Sequence, residues 1–83
     1  MTLKEVAVEI CKRYGIGENE VYGRFMGLES PLAYEYTFYV GSGRSVSVYC
    51  DDRKFYLESP NGLEQGSAEH IIESFEKAMY TAA

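Results

Sequence analysis

Residues 33–50 read AYEYTFYVGSGRSVSVYC, and this stretch decides the fold. It consists of two runs of alternating side chains with a short glycine-rich loop, residues 41–44, between them. Side chains on a strand point alternately to its two faces, so each run predicts a strand with one apolar face. Tyr36 and Phe38 lie on the apolar face of the first run, and Val46 and Val48 on that of the second. The loop predicts that the two strands form an antiparallel hairpin.

Two further segments extend this hairpin. Residues 20–26 alternate with a period of two, although Gly23 weakens the strand that they predict. Residues 54–59 alternate as well, after a tight turn at residues 51–53. A turn is predicted at residues 59–62, where proline and glycine supply the backbone angles of a β-turn. Short connections between the four segments predict an antiparallel meander.

A helix is predicted at each end of the chain. Thr2 and Glu5 have the spacing of a capping box, and Gly15 is a suitable stop for the first helix. Ser67 is the expected cap of the last helix. Both helices carry apolar residues at spacings of three and four, namely Leu3, Val6, Ala7, Ile10, Cys11 and Tyr14 in the first and Ala68, Ile71, Ile72, Phe75, Ala78 and Met79 in the last.

The sequence therefore predicts a single α+β domain over residues 1–83, with the order α-β-β-β-β-α. Each helix has one apolar face, and the sheet has one strongly apolar face. We expect both helices to pack on that face of the sheet and the opposite face to remain in contact with water.

The composition is acidic, with 13 acidic and 8 basic residues among 83 and a formal net charge of −5. A phosphate-binding surface needs clustered lysine and arginine, so this balance argues against direct nucleic-acid binding and favours a basic protein partner. No apolar run reaches the roughly 20 residues that a membrane span requires. No secretory signal is recognisable, so we expect a cytoplasmic protein in which Cys11 and Cys50 are reduced.

Few residues are of the types that enzymes use. The chain has one histidine, His70, and two cysteines without a CxxC motif, so we expect no metal site and no cofactor. Nucleophilic catalysis would need a cysteine beside His70 and an orienting carboxylate. His70 lies in the first turn of the last helix, where a place near the surface is the simpler interpretation. We therefore predict a protein that is not an enzyme.

Three tyrosines are predicted on the water-exposed face of the sheet, where Glu35 and Glu58 accompany Tyr39, Tyr49 and Tyr56. Packing between neighbouring strands would be sufficient to explain these rings. Tyrosine is also common at protein interfaces, because it combines a large apolar area with a polar tip. This face is therefore the candidate for partner binding.

The last helix carries Glu69, Glu73 and Glu76 on its predicted exposed side. One interpretation is a solvated face that keeps the protein in solution. The other is an acidic surface that guides the chain toward a basic groove. The sequence leaves both interpretations open.

The element order resembles that of double-stranded-RNA-binding domains. That family binds phosphates through a basic cluster at the start of its last helix. The corresponding residues here are Ser67-Ala68-Glu69-His70, which have the wrong charge, and a strand is added. Nucleic-acid binding of this kind is thus kept only as a second alternative, behind the inhibitor and the homodimerising module described below.

In its size, acidity, tyrosine content and shortage of catalytic groups, the chain resembles the small phage anti-defence proteins, anti-CRISPR proteins among them. The resemblance implies a viral, non-catalytic inhibitor that acts in the host cytoplasm, binds a nucleic-acid-handling complex and covers its basic surface. Because such proteins share no single fold, the resemblance assigns no role to any residue. The second hypothesis is a structural or accessory module that forms a homodimer through sheet faces or edges.

Overall fold

The computed structural model describes residues 1–23, 35–41, 43–51 and 53–81. Within these ranges, the chain forms two α-helices and a sheet of five antiparallel strands. The elements are α1 (Leu3–Tyr14), a short 3₁₀ helix (Glu18–Glu20), β1 (Val21–Gly23), β2 (Glu35–Gly41), β3 (Arg44–Asp51), β4 (Lys54–Ser59), β5 (Gly62–Gly66) and α2 (Ala68–Thr81).

The predicted capping box begins α1. The backbone N–H of Glu5 donates to the Thr2 hydroxyl at 3.2 Å, and the backbone N–H of Thr2 donates to the Glu5 carboxylate at 2.7 Å. The bond from the Thr2 backbone holds the pKa of the Glu5 carboxyl below its ordinary value, with a smaller contribution from the Thr2 side chain. The helix ends at Gly15, whose φ of 67° is left-handed and therefore favours glycine.

The strands follow one another as a meander in the order β1-β2-β3-β4-β5. Cross-strand partners share a face, so the register defines two surfaces. The inner face consists of the buried residues Val21, Tyr36, Phe38, Val46, Val48 and Leu57. The outer face consists of Glu35, Thr37, Tyr39, Ser45, Ser47, Tyr49, Asp51, Lys54, Tyr56, Glu58, Leu63 and Gln65.

Both helices cover the inner face. Buried residues of α1 and α2 form one core with those of the sheet, and aromatic rings connect the two helices to each other and to the sheet. Phe75 of α2 lies at the centre, with its ring centroid 4.9 Å from that of Phe38 and 5.5 Å from that of Tyr14. The Tyr14 hydroxyl also donates to the carbonyl oxygen of Ile72 at 2.6 Å, so it links α1 to α2. Burial raises the pKa of Tyr36.

The α+β class, the antiparallel meander and the placement of both helices on one face are confirmed. The structure adds a fifth strand, β5, which pairs with β4. Leu57 of β4 faces Glu64 of β5, and Glu58 of β4 faces Leu63 of β5. The sequence shows no alternation there because β5 buries almost none of its side chains. Backbone hydrogen bonds to β4 hold it instead.

Part of the predicted first strand falls within residues 24–34, outside the described residues. Ser30-Pro31, where the sequence predicts a turn, and Tyr34, which the alternation with Tyr36 and Phe38 predicts to point inward, lie there as well. The turn before β5 is present at Pro60 and Asn61, and the backbone N–H of Asn61 donates to the Ser59 hydroxyl at 3.1 Å.

Candidate functional site

Five of the eight predicted binding residues lie together on the outer face. Tyr39 is 48 % exposed, Tyr49 and Tyr56 are partly exposed, and Glu58 is exposed. Glu35 is the direct cross-strand partner of Tyr49. In the described ranges the helices pack only against the inner face, so this surface is open to a partner.

Tyr49 and Tyr56 form the centre of the outer face and are named the tyrosine pair below. They face each other across β3 and β4, with ring centroids 5.0 Å apart and planes inclined by 12°. A cross-strand aromatic pair of this kind stabilises a sheet by about 0.2 to 1 kcal/mol. The pair also presents a large, rigid apolar surface whose phenol groups can form hydrogen bonds, which is the combination that protein interfaces use.

Negative charge surrounds the tyrosine pair. Reduced contact with water raises the pKa of the Tyr49 phenol, and negative charge on Glu58, Tyr56, Glu35 and Asp51 raises it further, in that order of importance. Carboxylates that disfavour a phenolate at this position favour a cation there. The outer face is therefore suited electrostatically to a positively charged group.

Apart from Lys54, which is paired across the strands with Asp51, the remaining side chains of this face are uncharged. The hydroxyls of Thr37 and Ser47 lie 3.1 Å apart in a hydrogen bond between β2 and β3. Leu63, which is 57 % exposed, and Gln65 extend the face onto β5. Sequence reasoning missed both residues because it did not predict β5, and their only local signal is the turn that precedes them.

The other three predicted residues lie on the opposite side of the molecule. Glu69, Glu73 and Glu76 are exposed on α2, whose buried side packs against the inner face. Glu69 and Glu73 line a cleft between the helices with Glu9 and Arg13, which form an ion pair at 3.7 Å. The structure therefore does not bring these acids together with the tyrosine pair.

A second polar cluster joins β5 to the start of α2. The backbone N–H of His70 donates to the Ser67 hydroxyl at 3.2 Å, which confirms the predicted cap. The Nε2 atom of His70 lies 3.4 Å from a carboxylate oxygen of Glu64 and 3.5 Å from the hydroxyl of Ser74. Both contacts use the same nitrogen, whereas a Ser–His–carboxylate relay uses one partner on each side of the ring.

Neither cysteine forms a disulfide; Cys11 is buried and Cys50 is partly buried. Across the sheet, Cys50 faces Phe55 and Phe55 faces Gly66, against which the ring of His70 packs. Phe55 therefore lies between Cys50 and the end of β5 against which the His70 ring packs. Among the described residues, no group of three or more metal-binding side chains occurs.

The charge at the start of α2 also bears on RNA recognition. Glu69 is exposed there, and His70 has Glu64 as a neighbour. This position provides carboxylates where a double-stranded-RNA-binding domain has its basic cluster.

Neither helix within the described part of the chain is long and apolar enough to cross a membrane. No family model, no curated protein sequence and no solved structure matches this chain.

Proposed function

We propose that this chain is a non-catalytic inhibitor that binds a basic surface of a nucleic-acid-handling protein, in the manner of the phage anti-defence proteins that it resembles. The observation that carries the proposal is the open outer face, on which the tyrosine pair is surrounded by carboxylates. Basic protein surfaces commonly bind phosphates, so a domain that covers one competes with nucleic acid. On this proposal the chain acts in the cytoplasm of a host cell.

The outer face provides the contact in this proposal, and the acids of α2 do not. A helix with its side chains is about 10 Å across. The outward carboxylates of Glu69, Glu73 and Glu76 are thus separated from the tyrosine pair by more than the Debye length of about 8 Å at physiological salt. Their charge adds to solubility and to the net charge of −5.

The experiment is affinity purification from native cells, with quantitative mass spectrometry of the proteins that bind the tagged chain. Replacement of Tyr49 and Tyr56 by serine is expected to remove a nucleic-acid-binding protein from the bound fraction. Replacement of Tyr80 by serine is the matched control, because Tyr80 is 68 % exposed on α2 and lies away from the outer face. Added nucleic acid should compete with the chain for the recovered protein.

The proposal fails if the same proteins bind after loss of the tyrosine pair, or if none of the proteins that depend on the pair binds nucleic acid. Charge reversal at Glu58 should weaken binding, whereas charge reversal at Glu73 should have little effect.

A second candidate function is homodimerisation through the edge of the sheet. β5 is an edge strand, and edge strands present unpaired backbone N–H and C=O groups that can pair with another chain. The exposed side chain of Leu63 lies on this strand. Sedimentation equilibrium would detect such a dimer, and a proline at position 64 or 65 would abolish it. A monomer at high concentration would exclude this function.

A further inference from the structure

The tyrosine pair has a defined orientation relative to the sheet. The distance of 5.0 Å between its ring centroids is close to the spacing of about 4.8 Å between neighbouring strands. The rings therefore stack across the strands, each above its own strand. The free side of the Tyr49 ring is turned toward β2, where Glu35 is its cross-strand partner, and the free side of Tyr56 is turned toward β5, where its partner is Gln65.

Carboxylates lie on two sides of the tyrosine pair. Glu35 faces Tyr49 across the strands, and Glu58 lies two residues beyond Tyr56 on β4, on the same face. Within the described ranges neither Glu35 nor Glu58 forms an ion pair. The basic residue of this face, Lys54, is instead placed opposite Asp51 at the end of β3.

An aromatic ring beside a carboxylate attracts a planar cation in two ways. The negative face of an aromatic ring attracts a cation that lies over it. A guanidinium group can stack on the ring with its plane while its N–H groups donate to a carboxylate at the edge. A lysine ammonium cannot stack and keeps more of its hydration, so it gains less from the same arrangement.

We propose that the outer face recognises arginine side chains of its protein partner, with the guanidinium stacked on the tyrosine pair and held by Glu35 or Glu58. This inference deepens the proposed function and rests on it for the identity of the partner. Arginine is the residue that many basic surfaces use for phosphate binding, so its capture would block that surface.

The test uses two peptides with blocked ends, a glycine–arginine repeat and the matching glycine–lysine repeat. Each is titrated into the ¹⁵N-labelled chain while amide chemical shifts are recorded. The arginine peptide is expected to shift the amides of Glu35, Tyr49, Tyr56, Glu58 and Gln65 and to bind more tightly than the lysine peptide. Loss of one cation–π contact should weaken binding by about two- to fivefold.

Matched variants separate the contribution of the Tyr49 ring to peptide binding from that of the carboxylate charge. Tyr49→Leu should weaken binding of the arginine peptide and reduce its preference over lysine, whereas Tyr80→Leu should leave both unchanged. Glu58→Gln should weaken binding more than Glu73→Gln, although both remove one exposed carboxylate. Circular dichroism and the thermal midpoint of each variant establish that it is folded.

Equal affinity for the two peptides, shifts centred on α2, or an unchanged affinity in Tyr49→Leu would each overturn the inference. The outcome of the peptide titration does not depend on the outcome of the affinity purification. If the tyrosine pair is needed to capture a partner but the arginine peptide does not bind there, the inference fails and the proposed function stands. If the arginine peptide binds there but no partner depends on the pair, the proposed function fails.

Discussion

The hydrogen bond from Tyr14 to Ile72 provides a direct test of how the helices are held together. The substitution Tyr14→Phe removes the hydroxyl that donates at 2.6 Å and keeps the ring that stacks on Phe75. It creates no large cavity, because one oxygen atom is lost. The change therefore isolates the contribution of a single contact between α1 and α2.

The expected loss of stability depends on whether the Ile72 carbonyl oxygen keeps another hydrogen bond in the variant. The Ile72 carbonyl lies within α2, so it also accepts the helical hydrogen bond from the N–H four residues later. The variant thus leaves no buried acceptor without a partner, and the cost is that of one ordinary hydrogen bond, about 0.5 to 1.5 kcal/mol. A loss of about 1 kcal/mol lowers the thermal midpoint of a domain of this size by about 4 to 8 °C.

Urea unfolding at neutral pH measures the change, and an unchanged m-value would show that the unfolding transition itself is preserved. The matched control is Tyr80→Phe, which removes the same hydroxyl from an exposed ring on α2 and should leave the stability unchanged. If Tyr14→Phe were as stable as the original chain, the bond between the helices would make no net contribution, and the reasoning would be refuted.

Three further predictions concern other contacts. In Gly66→Ala the new methyl group would lie 2.5 Å from the His70 ring, so the variant should lose stability. In a His70→Ala background the same change should cost much less, because only the Cβ of residue 70, at 3.1 Å, remains close, and a double-mutant cycle would show the difference. Thr2→Ala should cost about 1 kcal/mol at neutral pH. The lowered pKa of Glu5 means that its carboxylate stabilises the fold above the ordinary pKa of glutamate, and that this stabilisation is lost as the pH falls through the lowered value. The Thr2 backbone N–H, the main cause, is kept in the variant, so only the smaller contribution of the Thr2 hydroxyl should fade from the difference between the two proteins in chemical denaturation at acid pH. The pKa of Tyr49 is raised in the folded chain above the ordinary tyrosine value of 10.0, so the stability linked to its protonated phenol is fully present below pH 10.0 and declines as the pH rises through the raised pKa. In ultraviolet titration of tyrosinate, the midpoint for Tyr49 should move to lower pH when the nearby carboxylates are replaced by amides.

The limits of sequence reasoning are clearest at β5. The strands β2, β3 and β4 were predictable because Phe38, Val48 and Leu57 alternate with polar residues, and this alternation reflects burial on one face. Leu63 and Glu64 are both exposed, so they show no such pattern. A strand held by its backbone alone leaves little trace in the order of its side chains.

The sequence alone established the two helices, the strands β1 to β4 and which tyrosines point away from the core, because those properties depend on spacing along the chain. Only the tertiary structure decided that Tyr49 stacks on Tyr56 beside Glu35, and that Glu73 lies on the far side of α2. These relations depend on the register between strands and on the direction in which a helix crosses a sheet. Both are set by contacts between residues that are distant in sequence, so no local pattern contains them.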